Sequence, residues 1–278
     1  MTREFLQPST LAEAVEILNS HEDLVILAGG TDLLVLLHEG SLSCRYIMDI
    51  KKIPELNVFG KTENGLDIGG AVTLTQLLES GLVDGPYAIL KDSAITHSNT
   101  MLRNRATMIG NICNASPGGD MLPAALLLDG TLEAASAGGV RRIPLNEFFT
   151  GVKKHVLQKN ELVTKISFPV KKGKGVFLKK KRIKGYDLAQ VCMGAFWEDD
   201  GKLSIALGAV AQVPLLFSGL GPFDREGLVK ARADVEATIL GRISPRANSI
   251  RSTREYRIAM IKHFIGEIIL QLTEGAYD

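Results

Sequence analysis

An aliphatic run broken in its middle, VILAGGTDLLVLL from Val25 to Leu37, constrains this chain more than any other stretch. Val25 to Leu27 suit a short buried strand, and Leu33 to Leu37 the start of a short helix. The segment between them must therefore turn the chain within a few residues. Adjacent glycines permit positive φ and let another group approach the backbone with no Cβ in the way. Three readings fit: a tight turn, a helix cap, or a cradle for an anion such as a pyrophosphate, since a helix start presents unpaired N–H groups. Neither GxGxxG nor GxxxxGK[ST] occurs in the chain.

The surroundings of this turn alternate short strands and helices. TLAEAVEIL carries a capping-box spacing, Thr10 to Glu13, with Leu11, Ala14, Val15 and Leu18 on one face. YIMDI (Tyr46 to Ile50) and LDIGG (Leu66 to Gly70) read as strands, TLTQLLES and YAILKDSAITH as helices. A mixed α/β or α+β domain follows. FPVKKGKGVFLKKKRIKG is basic and glycine-containing, as a connection between lobes would be. LAQVCMGAFWED and KLSIALGAVAQV then read as paired strands around DDGK. Ile258, Ile261, Phe264, Ile265, Ile268 and Ile269 recur at helical spacing, marking a core or subunit-contact face. Phe196 and Trp197 read as core of the C-terminal part.

Composition excludes several function classes. The 278 residues carry a formal net charge of +1, so no basic field favours nucleic acid. The opening MTREFLQPSTLAEAV has no apolar signal core, and no charge-free stretch reaches membrane-spanning length, so membrane insertion is not expected. Three scattered cysteines, Cys44, Cys113 and Cys192, fit a reducing, cytoplasmic setting and are too few for a complete iron–sulfur cluster. Five histidines show no metal-ligand spacing, and no metal is expected.

A second segment bears on the glycine turn. LRNRATMIGNICNASPGGDMLPAALLLDG, Leu102 to Gly130, gathers amides, hydroxyls and an acid in a non-periodic run. Thr107, Asn111, Asn114, Ser116 and Asp120 offer polar side chains, while Gly110, Gly118 and Gly119 permit close backbone approach. Pro123 suits the first turn of a helix through AALLLD. Either the run satisfies its own polar groups, or it meets a ligand.

The pairing of LAGGTDLL with RNRATMIGNICNASPGGDMLPA resembles the FAD-binding subunit of molybdenum hydroxylases, the xanthine dehydrogenase and carbon monoxide dehydrogenase flavoprotein type. Weaker matches run nearly end to end: YIMDIKKIPEL, IGGAVTLTQLL, ELVTKISFP, ALGAVAQVP and SPRANSIRSTREYR. The resemblance implies an FAD-binding domain of the vanillyl-alcohol oxidase and p-cresol methylhydroxylase type over residues 1–172, in two lobes of roughly 1–56 and 57–172. A smaller α+β C-terminal domain would occupy 173–278.

Carried over by position, Val25, Ile26, Leu27, Ala28, Gly29, Gly30, Thr31 and Asp32 would cradle the FAD pyrophosphate. Thr107, Gly110, Asn111 and Asn114 would meet it from the other side, and Asp120 would bond FAD hydroxyls or ring-edge donors. Leu162 would pack on the adenine with Ile68 over its other face. Lys179, within KKKRIK, would sit near the flavin and favour its reduced, anionic form, the remaining cations being solvated. Tyr186 would lie on the ring or on the surface. Many relatives have a glycine where this chain has Ile109, a substitution that would be strained if the position needs positive φ.

The function implied is an oxidoreductase subunit in which FAD takes electrons from 2Fe-2S clusters and passes them to NAD+ or another acceptor. The molybdenum cofactor and the clusters would sit on a molybdopterin-binding large subunit and an iron–sulfur small subunit. Two alternatives stand beside it: a stand-alone flavin oxidase of the same fold, and a flavin-free assembly or sensor protein.

Overall fold

The structure is a computed structural model and describes residues 3–245 and 249–274. The first layer is small. Strand β1 (Glu4–Leu6), helix α1 (Leu11–Ser20), β2 (Leu24–Leu27), α2 (Leu33–His38) and β3 (Tyr46–Asp49) form a parallel three-stranded sheet in the order β1-β3-β2. Thr10 caps α1 by accepting from the Glu13 N–H. The Glu13 carboxylate reaches instead to the N–H and hydroxyl of Ser9, so the reciprocal half of the cap lies one residue earlier than the spacing predicts. Ala14 and Leu18 pack with Met48, Ile50, Ile53 and Leu56.

The second layer begins with β4 (Phe59–Thr62), β5 (Gly65–Gly69), α3 (Leu74–Glu79), α4 (Ala88–Thr96), α5 (Thr100–Arg103), α6 (Met108–Cys113) and α7 (Met121–Leu127). It continues through β6 (Thr131–Ser136), β7 (Gly139–Pro144), β8 (Phe149–Gly151), β9 (Lys154–His155) and β10 (Leu162–Pro169). Five of these strands form an antiparallel sheet in the order β4-β5-β10-β6-β7, with β8 and β9 as a separate hairpin. The central strand β10 carries an irregularity between Val163 and Lys165. Beside it the Gly70 N–H donates to the Thr164 carbonyl. Leu162, at the strand's start, joins the core of the first layer. Thr73 and Gln76 complete the capping box of α3.

The segment from Leu102 to Gly130 is mostly helical rather than an irregular polar loop. Its helices are one or two turns long, and every residue of α7 is buried, so no amphipathic period exists to read.

The third layer holds β11 (Gly173–Lys180), β12 (Val191–Glu198), β13 (Leu203–Gly208), β14 (Leu215–Leu220), α8 (Arg225–Lys230), α9 (Arg232–Leu240) and α10 (Arg254–Glu274), its strands forming an antiparallel sheet in sequence order. The basic stretch near Pro169 is a connection only over residues 170–172, which join two sheets; β11 takes up most of the rest. Side chains on β11 and β12 alternate between two buried faces. Val176, Val191, Met193 and Ala195 pack with α10, and Trp197 lies against that same core. Phe177, Cys192 and Phe196 pack on the other side with α4 and α7. Phe196 thus belongs to the core between the layers rather than to the C-terminal core alone. On that side the sheet carries small residues; a Cβ on Gly194 would meet Leu127 Cδ1 at 2.8 Å. Ile261, Phe264, Ile265, Ile268 and Ile269 of α10 are core. Residues 246–248 of SPRANSIRSTREYR lie outside the described residues.

Candidate functional site

The two glycines after β2 answer to different needs. Gly29 is pressed against backbone: an added Cβ would stand 2.2 Å from the Arg105 carbonyl oxygen and 2.9 Å from Ala106 Cα. Gly30 has φ +74°, in the left-handed region that glycine favours. Helix α2 then starts with Leu34 N–H donating to the Gly30 carbonyl and Leu36 N–H to that of Asp32. Within the described residues the N–H groups of Gly29, Gly30, Thr31 and Asp32 find no acceptor, and Asp32 makes no side-chain cap. The turn thus presents a short run of free donors.

The segment that Gly29 touches supplies the opposite wall. Leu74 N–H donates to the Ala106 carbonyl, and Thr73 bridges to Thr107, which fixes the start of α6. The Thr107 hydroxyl oxygen accepts from Gly110 N–H at 2.9 Å, and a Cβ on Gly110 would lie 2.7 Å from that oxygen. Asn111 Oδ1 accepts from Met121 N–H at 3.2 Å and staples α6 to α7. The hydroxyl proton of Thr107 and the amide NH2 of Asn111 remain for a ligand. Ile109 sits inside α6 without positive φ and is buried, so the strain that its β-branch would bring elsewhere does not arise.

Between these walls lies a cleft of about 470 Å³. Of the residues predicted to bind cofactor, Val25, Ile26, Ala28, Gly29, Gly30, Thr31, Asp32, Thr107, Gly110, Asn111, Asn114 and Leu162 all line it. Leu27, Asp120 and Lys179 do not. Leu27, the last residue of β2, is buried in protein instead. Ile68 is wholly buried in the second-layer core rather than lining the cleft. Tyr186 is exposed at the surface.

Asp120 and Lys179 are set back from the cleft and bonded to each other. Lys179 Nζ lies 2.8 Å from both carboxylate oxygens of Asp120 and also donates to the Thr96 carbonyl at 3.2 Å. The alternation of β11 puts Lys179 on the same face as Phe177, toward α4, which is why one cation of a basic run is buried. Asp120 Oδ2 accepts in turn from His97 Nδ1 at 3.0 Å, and His97 does line the cleft. The cation thus reaches the cleft only through an acid and a histidine.

Sequence reasoning missed His97, His155 and Glu161 as cleft residues. His155 stacks on Phe148 with centroids 5.2 Å apart, and burial pushes its imidazole below the usual range. Glu161 accepts from Arg141 Nε at 2.5 Å, from Arg141 Nη2 at 2.8 Å and from Gln158 N–H at 2.7 Å. The Arg141 guanidinium holds its carboxyl below the ordinary value, and the Arg141 pKa is raised in return. Cys113 also lines the cleft, its thiol pushed up to about 12 by burial. Only the ELVTKI match gave a signal here, and it pointed to Leu162 rather than to its neighbour Glu161.

A family model described as the FAD binding domain in molybdopterin dehydrogenase matches residues 1–171. The chain belongs to that family. FAD is accordingly its cofactor, and its chemistry is that of an oxidoreductase. The chain is similar to the xanthine dehydrogenase FAD-binding subunit of Escherichia coli O157:H7, with 30% identity across 96% of this chain and 95% of that one. It is 27% identical to the carbon monoxide dehydrogenase medium chain of Hydrogenophaga pseudoflava, over 92% of each. Its fold matches that of quinoline 2-oxidoreductase from Pseudomonas putida 86, with a TM-score of 0.88 over 100% of this chain at 24% identity. The cleft suits the family's dinucleotide: free backbone donors lie in a turn that opens with two glycines, beside mostly apolar walls.

Proposed function

We propose that the chain is the electron-transferring flavin subunit of a molybdenum-dependent hydroxylase complex. A substrate would be oxidised on a molybdopterin-binding large subunit, and electrons would arrive through the 2Fe-2S clusters of a small subunit. They would leave to NAD+ or another acceptor, in the cytoplasm. Bound FAD supplies the exchange between two-electron and one-electron carriers, and the protein supplies position and electrostatics.

The observation that carries this reading is the meeting of the two motifs at Gly29 and Arg105, which turns two distant segments into the walls of one cleft. In it the backbone from Val25 to Asp32 would hold the pyrophosphate with its free N–H groups. Thr107 and Asn111 would donate from the facing wall, with Gly110 and Asn114 beside them. Leu162 would give an aromatic ring an apolar surface, and the walls would exclude water. Asp120 and Lys179 would act behind His97 rather than by contact. The relatives named as a FAD-binding subunit and a medium chain support a role within a larger assembly.

The test is anaerobic mixing of the FAD-loaded chain with the chemically reduced iron–sulfur subunit of its complex. Flavin absorbance should bleach, and added NAD+ or a replacement acceptor should restore it. Flavin that stays oxidised beside reduced clusters would refute the electron-transfer role.

A further inference from the structure

His97 is held more firmly than a cleft-wall residue needs to be. Its Nδ1 faces Asp120 Oδ2 at 3.0 Å, and a carboxylate paired with Lys179 can only accept, so Nδ1 carries the proton. The supporting pair is almost fully enclosed, with side-chain exposures of 2% for Lys179 and 6% for Asp120. Helix α4 adds two more contacts to it: the Ser93 hydroxyl donates to the Asp120 carbonyl at 2.7 Å, and the Thr96 carbonyl accepts from Lys179. The main chain is fixed as well. Arg103 donates to the carbonyls of His97 at 3.1 Å and Ser98 at 3.2 Å, and Ser98 adopts φ +47°, a conformation that a non-glycine residue holds only when its surroundings impose it.

A buried ion pair is a poor way to fill space, because apolar residues of similar volume stabilise as well or better. Its effect here is to set one tautomer. With Nδ1 protonated and directed at Asp120, a neutral His97 has Nε2 as a bare acceptor at the edge of the ring left to the cleft. Such a nitrogen matches an N–H or O–H donor and does not match a phosphate oxygen.

We propose that His97 is a cofactor-contacting residue whose Nε2 accepts a hydrogen bond from a hydroxyl or ring N–H of bound FAD, with Asp120 and Lys179 as the positioning residues that fix its tautomer. This rests on the reading of the cleft as the FAD site. It assigns the buried acid and lysine an indirect role in place of direct contact.

Two substitutions separate this from a merely structural role. His97→Asn keeps a donor near the Nδ1 position for Asp120 and removes the group facing the cleft. His97→Gln reaches toward the Nε2 position and abandons Asp120. FAD dissociation constants, measured by flavin fluorescence on variants whose Tm is checked, should rise about tenfold for His97→Asn, the loss of one good hydrogen bond. The constant for His97→Gln should stay within about threefold of the natural chain. The reverse order, or no change in either variant, would overturn the proposal and leave His97 as support for Asp120. On the unmodified chain, 15N spectra of the histidine ring should show a protonated Nδ1 before FAD is added and a shifted Nε2 afterwards; an unmoved Nε2 resonance would overturn the proposal without any variant. Failure of the unmodified chain to bind FAD would sink the reading of the cleft itself.

Discussion

Gly29 and Gly30 stand side by side, yet their replacements should separate cleanly. Gly29→Ala would drive a methyl group to 2.2 Å from the Arg105 carbonyl, and backbone there cannot rotate away. Overpacking of this kind costs about 1–3 kcal/mol, which is roughly 2–4 °C in Tm per kcal/mol for a chain of this order. FAD content should fall with it, because the two cleft walls move apart. Gly30→Ala meets only the ends of Leu27 and Leu34, and its cost of about 1–2 kcal/mol comes from φ +74°; FAD should be retained. Differential scanning fluorimetry with flavin quantification checks both. Glu161 titrates in a direction that can be worked out. The pairing with Arg141 lowers its folded pKa, so the unfolded chain takes the proton first as pH drops below the ordinary 4.5. The contribution is complete above that value and is lost as pH falls through the lower folded one. Glu161→Gln should therefore flatten the Tm profile on the acid side only, with the curves of variant and natural chain converging toward low pH. Cys113, with its thiol at about 12, should resist alkylation at pH near 8 although it lines the cleft. At this scale the glycines, Thr107 and Leu162 were legible in the sequence because each sits in a local motif. Asp120 and Lys179 were legible as important but not as a pair, since they lie 59 positions apart and nothing in their spacing reveals a shared burial.

Among the elements, α7 decides how the layers join. It is buried on all sides, packing with α4 and with β12, β13 and β14. Leu127→Ala would open a cavity against Gly194 and should cost about 2–5 kcal/mol by chemical denaturation. Leu270→Ala on the exposed side of α10 should stay within about 0.5 kcal/mol. Elements with one clear period or a capping residue were readable: α1, α3, β2, β12 and α10. Helix α7 was readable from Pro123 in its first turn and not from a period, because a helix buried all round shows no polar face. Strand β11 was obscured by its lysines. Its alternation sends Lys174 to the Gln271 carbonyl on one face and Lys179 to Asp120 on the other, so both charges are satisfied inside a strand that looks like a linker.

For the whole molecule, sheet membership changes between Pro169 and Gly173, and the first-layer core runs to Leu56 and takes in Ala71 and Leu162 from beyond it. We propose residues 1–172 as the FAD-binding unit, with lobes near 1–56 and 57–172, and 173–278 as the smaller C-terminal unit. That division separates sheets and not cores. Phe177, Cys192, Phe196 and Ala206 of the third layer share one apolar cluster with Leu122, Leu127 and Ile89. A chain ended after residue 172 would leave that cluster open and should fail to give soluble, folded protein by circular dichroism. Among the described residues no helix is long and apolar enough to cross a membrane. The overall α+β class and the order of the motifs were readable from local patterns. The meeting of segments more than seventy residues apart at Gly29 and Arg105 was expected only through the family resemblance, because it is a contact between backbones and leaves no trace in side-chain periodicity.

On this reading the glycine turn and α6 would enclose an FAD. Absorption spectroscopy of the purified full chain, with the flavin released by heat and identified, tests it most directly. A yellow protein carrying one FAD per chain is expected. A colourless chain that stays colourless after incubation with FAD would contradict it.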